Sequence, residues 1–163
     1  MTVHSFSSAA GAAAPLTRAR VSGSLPVWSL SLGCPKNRVD TEHLLGSLGM
    51  PVHSVEHMGR ARLVFINTCG FIEPAVRESI RSILDAVERL GRCKRRPLLA
   101  VAGCMVGRYG VKDLAADLPE VDLWLPTGEL ENWPAMVREA LGLPAAPAAP
   151  GRLLHERGVV GVL

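Results

Sequence analysis

Aromatic side chains are scarce in this 163-residue chain, long apolar runs are absent, and acidic residues are missing from its start. Phe, Trp and Tyr make up 4% of the residues, too few for the stacking platforms that bind single-stranded nucleic acid. No apolar run approaches the roughly 20 residues of a transmembrane helix, so we expect no membrane partner. No Asp or Glu precedes Asp40. The Ser- and Ala-rich residues 1–25 are expected to be a disordered extension.

The remaining composition is typical of one folded domain. Hydrophobic residues make up 48% of the chain and charged residues 20%, enough to bury a core. The net charge of +3 is too small to indicate a nucleic-acid partner. Without a secretory signal, a reducing cytoplasm is the expected location. The four cysteines are therefore expected to be ligands or free thiols rather than disulfides.

Apolar segments alternate with helical patterns between residues 26 and 142, which we predict to be the folded domain. Strands are predicted at 27–32, 63–66, 98–102 and 121–125, with a weaker one at 52–55. Helices are predicted at 37–48, 74–90, 111–118 and 134–142. This alternation predicts an α/β three-layer sandwich of Rossmann or flavodoxin type, with a mainly parallel sheet and helices on both faces. Residues 143–163 are expected to be a Pro/Ala linker and tail.

The second helix has the clearest pattern. Its apolar residues recur at steps of three and four and form one stripe. They are Val76, Ile80, Ile83, Leu84, Val87 and Leu90. The pairs Glu73–Arg77 and Asp85–Arg89 are expected to form ion pairs across one helical turn.

Three of the four cysteines directly follow predicted strands. Cys34, Cys69 and Cys104 are spaced 35 residues apart, the length of one strand–helix–strand unit. Because the carboxyl ends of parallel strands share one edge of the sheet, these thiols are expected to converge there. Each has a neighbouring glycine, which would let the backbone approach a bulky ligand closely.

Three thiols without an obvious fourth partner leave several interpretations. A structural zinc site takes four ligands and usually contains a C-x-x-C pair, which this sequence lacks. A [4Fe–4S] cluster bound by three cysteines keeps one iron open to an exogenous ligand. Each cysteine alone is as easily a small buried apolar side chain, but their matched placement favours ligands. Cys93, between Arg92 and Lys94 in a polar turn, is predicted to be a surface thiol and not a ligand.

Four segments of the sequence form a recognisable set: SLGCPKNRVDTE (31–42), NTCGFIEPAVRESI (67–80), GCMVGRYG (103–110) and LPEVD-x-x-x-x-TGE (118–129). Together they resemble the amino-terminal domain of the radical-SAM methylthiotransferases, over roughly residues 27–142. The first two are more similar to the branch that modifies a ribosomal protein than to the tRNA branch. The first motif of the tRNA branch more often reads Gly-Cys-Gln-Met-Asn.

The resemblance implies an enzyme that transfers sulfur and binds metal. Cys34, Cys69 and Cys104 would bind a [4Fe–4S] cluster whose open iron carries the sulfur that becomes a methylthio group. In the ribosomal-protein branch, the target is the β-carbon of an aspartate in small-subunit ribosomal protein number twelve. A second [4Fe–4S] cluster, in a following domain, cleaves S-adenosylmethionine to make the radical that activates the C–H bond.

This sequence departs from the family pattern after residue 150. No cysteine follows Cys104, so the C-x-x-x-C-x-x-C motif of the radical-SAM domain is missing, as is the small barrel that follows it. We expect either a truncated or frameshifted product or a radical-SAM domain on another chain. The chain alone is expected to be inactive. Two alternatives stay open, a tRNA methylthiotransferase domain and a non-enzymatic metal or redox-sensing module whose thiols form a disulfide.

Overall fold

Five strands and five helices, with two 3-10 turns, form the part of the chain that the computed structural model describes, residues 23–146. The strands are β1 (Leu25–Ser31), β2 (Val52–Ser54), β3 (Leu63–Thr68), β4 (Leu98–Gly103) and β5 (Leu123–Pro126). The helices are α1 (Pro35–Gly46), α2 (Glu73–Gly91), α3 (Cys104–Tyr109), α4 (Val111–Asp117) and α5 (Trp133–Ala140), and the 3-10 turns are Met58–Arg60 and Thr127–Asn132. The predicted extension over 1–25 and the predicted tail over 143–163 lie almost entirely outside the described residues.

The strands form one sheet in the order β2-β1-β3-β4-β5, and every neighbouring pair is parallel. This is the order of the flavodoxin-like doubly wound fold. The predicted α/β class is therefore confirmed, and the sheet is parallel throughout where the sequence predicted a mainly parallel one. None of the helices in the described part of the chain is both long enough and apolar enough to cross a bilayer.

Helices cover both faces of the sheet because successive side chains of a strand point to opposite sides. In β3, Leu63 and Phe65 belong to a core shared with Leu44 of α1 and with Trp133 of α5. Val64 and Ile66, which alternate with them, belong to a second core. That second core includes side chains of α2, α3 and α4. The three-layer arrangement is as predicted.

Helix α2 confirms its predicted ion pairs but corrects part of its predicted stripe. Glu73–Arg77 and Asp85–Arg89 are both paired. However, Ile80 is 36% exposed and Leu84 is 48% exposed. The buried residues are Val76, Ser79, Ile83, Ala86 and Leu90. At about 100° per residue, the buried residues span roughly 80° of the helix surface and include Ser79, whereas Ile80 and Leu84 lie roughly 40° and 80° outside that span.

The sequence analysis missed helix α3, which begins at Cys104 directly after β4. Gly107 lies inside α3 and Gly110 ends it, and glycine lowers helix propensity by roughly 1 kcal/mol. Tertiary packing explains Gly107, because a Cβ built there would lie 2.5 Å from Thr127 Oγ1. Helix α1 also begins two residues earlier than predicted, with Pro35 in its first turn, where no backbone N–H is needed.

Candidate cysteine site at the carboxyl edge of the sheet

Cys34, Cys69 and Cys104 lie at the carboxyl ends of β1, β3 and β4, the three central strands. Thr68 pairs with Gly103 in the sheet, so Cys69 and Cys104 each follow one member of that pair. Cys34 follows β1 and immediately precedes α1. The structure thus brings the three predicted site residues to one edge, on adjacent segments.

Glycines let these segments approach one another closely. At Gly33, φ is +82°, and an added Cβ would lie 2.6 Å from Cys69 Cβ and 2.7 Å from Cys69 Sγ. At Gly103, φ is +106°, and an added Cβ would lie 2.3 Å from the carbonyl oxygen of Thr68. A Cβ on Gly70 would lie 2.7 Å from the backbone of Met105. These glycines therefore serve contacts between the cysteine segments, a role that the sequence analysis did not anticipate.

The thiols differ in exposure and influence one another electrostatically. Cys34 is exposed, whereas Cys69 and Cys104 are half-buried. Burial is the main cause that raises the pKa of the Cys104 thiol, and the charges of Cys69 and Cys34 raise it further. The ammonium group of Lys36 acts in the opposite direction and lowers that pKa. Cys34 and Cys69 thus contribute to the electrostatic environment of Cys104.

Lys36 is the basic residue beside the three cysteines. It lies in the first turn of α1, and its Nζ contacts Asp40 Oδ2 at 2.5 Å. The hydrogen bond to Asp40 is the main cause that raises the pKa of Lys36. The Lys36 side chain is 65% exposed. The ion pair therefore acts on Cys104 in both directions, since Lys36 lowers the pKa of this thiol and Asp40 raises it.

A buried polar network lies beneath the site, and sequence reasoning did not identify it. Asn67 Nδ2 donates to the carbonyl oxygen of Asn37 at 2.7 Å and to Thr41 Oγ1 at 3.2 Å. Thr41 Oγ1 also contacts Ser31 Oγ at 2.8 Å. Two of these polar residues stand next to apolar segments in the sequence, Asn67 at the end of a predicted strand and Asn37 at the start of a predicted helix. Their function could not be inferred from the sequence, because it depends on hydrogen-bond partners that only the structure shows.

Ser79 fixes the backbone of Cys69. Its Oγ donates to the carbonyl oxygen of Cys69 at 2.9 Å and accepts the Cys69 N–H at 3.1 Å. Ser79 is fully buried on the inner face of α2. Ser79 lies at the three- and four-residue spacing of the apolar residues of α2, and this spacing could have indicated that it is buried. A buried serine requires hydrogen-bond partners.

Cys93 lies away from the other cysteines. It follows the carboxyl end of α2 and precedes β4, at the amino edge of the sheet. It is half-buried and packs against the core under α2, so the prediction of a surface thiol is corrected. Its Sγ lies 3.6 Å from the carbonyl oxygen of Arg89. Cys93 is thus a natural control for the three site cysteines.

Among residues 23–146, no three His, Cys, Asp or Glu side chains are arranged to hold a metal ion between them. The three thiols share the carboxyl edge of the sheet.

The fold and the site define a doubly wound α/β domain with three thiols at the ligand-binding edge. A family model described as "Uncharacterized protein family UPF0004" matches residues 27–126, from β1 to the end of β5. The chain belongs to this family.

Curated relatives carry the name "Ribosomal protein uS12 methylthiotransferase RimO". The chain is 62% identical over 130 residues to the protein of Nitratidesulfovibrio vulgaris strain Hildenborough and 61% identical over 130 residues to that of Oleidesulfovibrio alaskensis. It is 48% identical over 133 residues to the protein of Lawsonia intracellularis. These alignments cover 80–82% of this chain and 30% of each relative. The resemblance to the ribosomal-protein branch of the methylthiotransferases is confirmed, and the chain spans about a third of the length of these relatives.

Proposed function

We propose that residues 26–142 form the cluster-binding, sulfur-carrying domain of a methylthiotransferase. Its target would be the β-carbon of an aspartate in ribosomal protein uS12, the protein that the relatives' name specifies. The observation that carries this proposal is the placement of Cys34, Cys69 and Cys104 on three adjacent strand ends. The sequence similarity to the relatives supports the substrate.

The three thiols suit a [4Fe–4S] cluster. Thiolates are the usual protein ligands of such clusters, and each binds a different iron. Their placement on three adjacent strand ends supports binding of one group by all three. The close packing of Gly33 against Cys69 further supports a preformed arrangement of the ligand-bearing segments.

The chain's own residues would hold the group and control access to it. Cys69 and Cys104 would bind it from the half-buried side, while exposed Cys34 lies where a substrate can approach. Lys36, although paired with Asp40, would lower the pKa of Cys104 and so favour its thiolate form. When bound, the cluster supplies an iron without a protein ligand, where sulfur can attach.

The radical step requires further components. These 163 residues contain only Cys93 besides the three site cysteines, so they offer no triad for a second cluster. We propose that a radical-SAM region outside these residues binds that cluster and S-adenosylmethionine. The 163 residues alone would therefore not cleave S-adenosylmethionine. We further place the protein in the cytoplasm, where reduced thiols persist.

Iron binding by cysteine variants tests the proposal. After anaerobic reconstitution with iron and sulfide, the wild type should hold about four iron atoms per chain, as a [4Fe–4S] cluster requires. Cys34→Ala, Cys69→Ala and Cys104→Ala should lose most of this iron and the brown colour. Cys93→Ala, the matched control at the opposite edge, should retain both. A wild type without iron, or equal iron loss in all four variants, would refute the proposal.

The same preparation addresses the two alternatives. A redox-sensing module would show disulfide formation in thiol counts under air, with no iron under reductant. A tRNA methylthiotransferase domain would bind the cluster, but its full-length enzyme would methylthiolate tRNA rather than uS12. The names of the relatives favour the ribosomal protein.

A further inference from the structure

The side chain of Asn37 contacts all three cysteine-bearing segments. Its Nδ2 donates to the carbonyl oxygen of Leu32 at 2.8 Å and to that of Thr68 at 3.0 Å. Leu32 lies two residues before Cys34, and Thr68 directly precedes Cys69. The thiol of Cys104 donates to Asn37 Oδ1, with an Sγ–Oδ1 distance of 3.9 Å. One carboxamide therefore joins the ends of β1, β3 and β4.

The chemistry of this position suits asparagine. Asn37 is 1% exposed, so the two carbonyl oxygens that it contacts have little access to water there. A neutral carboxamide offers two N–H donors and an acceptor on one short side chain. Aspartate has the same shape but, when ionised, offers only acceptors, which would face two carbonyl oxygens.

The backbone of Asn37 is itself held in place. Its carbonyl oxygen accepts hydrogen bonds from Asn67 Nδ2 at 2.7 Å and from Thr41 Oγ1 at 2.8 Å. These contacts fix the first turn of α1 against β3. The carboxamide is thereby oriented before any group binds at the edge.

We propose that Asn37 is a positioning residue that holds the three cysteine segments at the mutual spacing a shared cluster requires. This inference rests on the proposed function, because a shared cluster is the reason for the spacing. The contacts of Asn37 themselves exist in the chain without any bound group. The hydrogen bond from Cys104 requires its S–H and would be lost when this sulfur binds iron as a thiolate. Asn37 would therefore act on the loaded site through its hydrogen bonds to Leu32 and Thr68.

Two variants and a control separate positioning from simple stability. Asn37→Ala removes all three contacts, and Asn37→Asp keeps the shape while losing the donors. Arg138→Met is the control, because it removes the hydrogen bonds of another buried side chain, to the carbonyl oxygens of Leu48 and Pro144, which belong to no cysteine segment. In iron-free protein, alkylation of each cysteine by iodoacetamide is followed by mass spectrometry. In both Asn37 variants Cys69 and Cys104 should be alkylated several-fold faster than in the wild type, whereas in Arg138→Met they should not.

Loaded protein provides the second readout. Loss of partners that orient metal ligands typically weakens metal binding about 10–100-fold, so iron should transfer to a chelator faster by about that factor in both Asn37 variants. In Arg138→Met, the transfer rate should stay close to that of the wild type. Equal effects of Asn37→Ala and Arg138→Met in both assays would overturn the inference.

The outcomes keep the two proposals distinct. A wild type that never holds iron refutes the proposed function, and the alkylation rates still decide whether Asn37 positions the segments. If the Asn37 variants do not fold, amide exchange in the wild type decides the inference. Slow exchange of both Asn37 side-chain N–H protons would support it, and exchange at the rate of a free carboxamide would overturn it.

Discussion

Gly33 and Gly110 form a matched pair for testing how tightly the cysteine segments pack. Their φ angles are nearly the same, +82° and +81°. A Cβ on Gly33 would lie 2.7 Å from Cys69 Sγ, whereas a Cβ on Gly110 would meet nothing within 4 Å. Alanine therefore strains the backbone at both positions, but only Gly33→Ala displaces the Cys69 side chain.

The structure allows the two effects to be separated in magnitude. Holding an alanine at such a φ costs roughly 1–3 kcal/mol, and this is the expected loss in the free energy of unfolding for Gly110→Ala. Forcing an extra carbon into a packed contact typically costs about 1–3 kcal/mol more. We therefore expect Gly33→Ala to lose roughly 2–6 kcal/mol in total. The difference between the two variants measures the contact with Cys69.

Urea denaturation followed by circular dichroism gives both free energies, and anaerobic reconstitution gives the iron content. Gly33→Ala should lose more stability than Gly110→Ala and should also bind less iron, because its Cys69 thiol is displaced. Gly110→Ala should bind iron like the wild type. Equal losses of stability in the two variants, with iron binding intact in both, would refute the idea that close glycine packing arranges the ligands.

Three further predictions concern single side chains. Ser79→Ala should lower the free energy of unfolding by roughly 1–3 kcal/mol in urea denaturation, because it leaves the Cys69 backbone without its partner; an unchanged midpoint would contradict this. Lys36→Met should shift the alkylation profile of Cys104 to higher pH, because the ammonium group that lowers the pKa of this thiol is removed; a shift to lower pH would refute that electrostatic account. Trp133→Ala should lower the free energy of unfolding by roughly 3–5 kcal/mol. The reason is that this side chain is fully buried and its indole N–H donates to the Pro126 carbonyl oxygen at 2.9 Å. A loss under about 1 kcal/mol would contradict this prediction.

The polar residues that support the site show where sequence reasoning stops. Ser79 lies on the apolar face of α2, and its spacing marks it as buried once the centre of that face is known. Its function depends on Cys69, ten residues earlier, which only the fold places beside it. Asn37 was part of a recognised motif, yet its three contacts are with residues from three strand ends. Local pattern carries no information about such partners, because side-chain hydrogen bonds across segments depend on tertiary packing.

Helix α3 and the exposed side of α2 were mispredicted for a related reason. Glycine lowers helix propensity, so Gly107 argued against a helix that packing against Thr127 nonetheless allows. Ile80 and Leu84 were assigned to the apolar stripe by their spacing alone. The face of α2 that is buried is narrower than that stripe, so both side chains are partly exposed. In both cases tertiary packing around the residue outweighed a weak preference of the local sequence.

The amino-acid sequence alone determined the alternation of strands and helices and the position of three cysteines after strands. From these it followed that the thiols share one edge, because all parallel strands end on the same side whatever their order. Only the tertiary structure decided that β1, β3 and β4 are neighbours, and so that the thiols adjoin one another. Strand order depends on which face each crossover helix covers, and this choice is made by contacts between residues far apart in the chain.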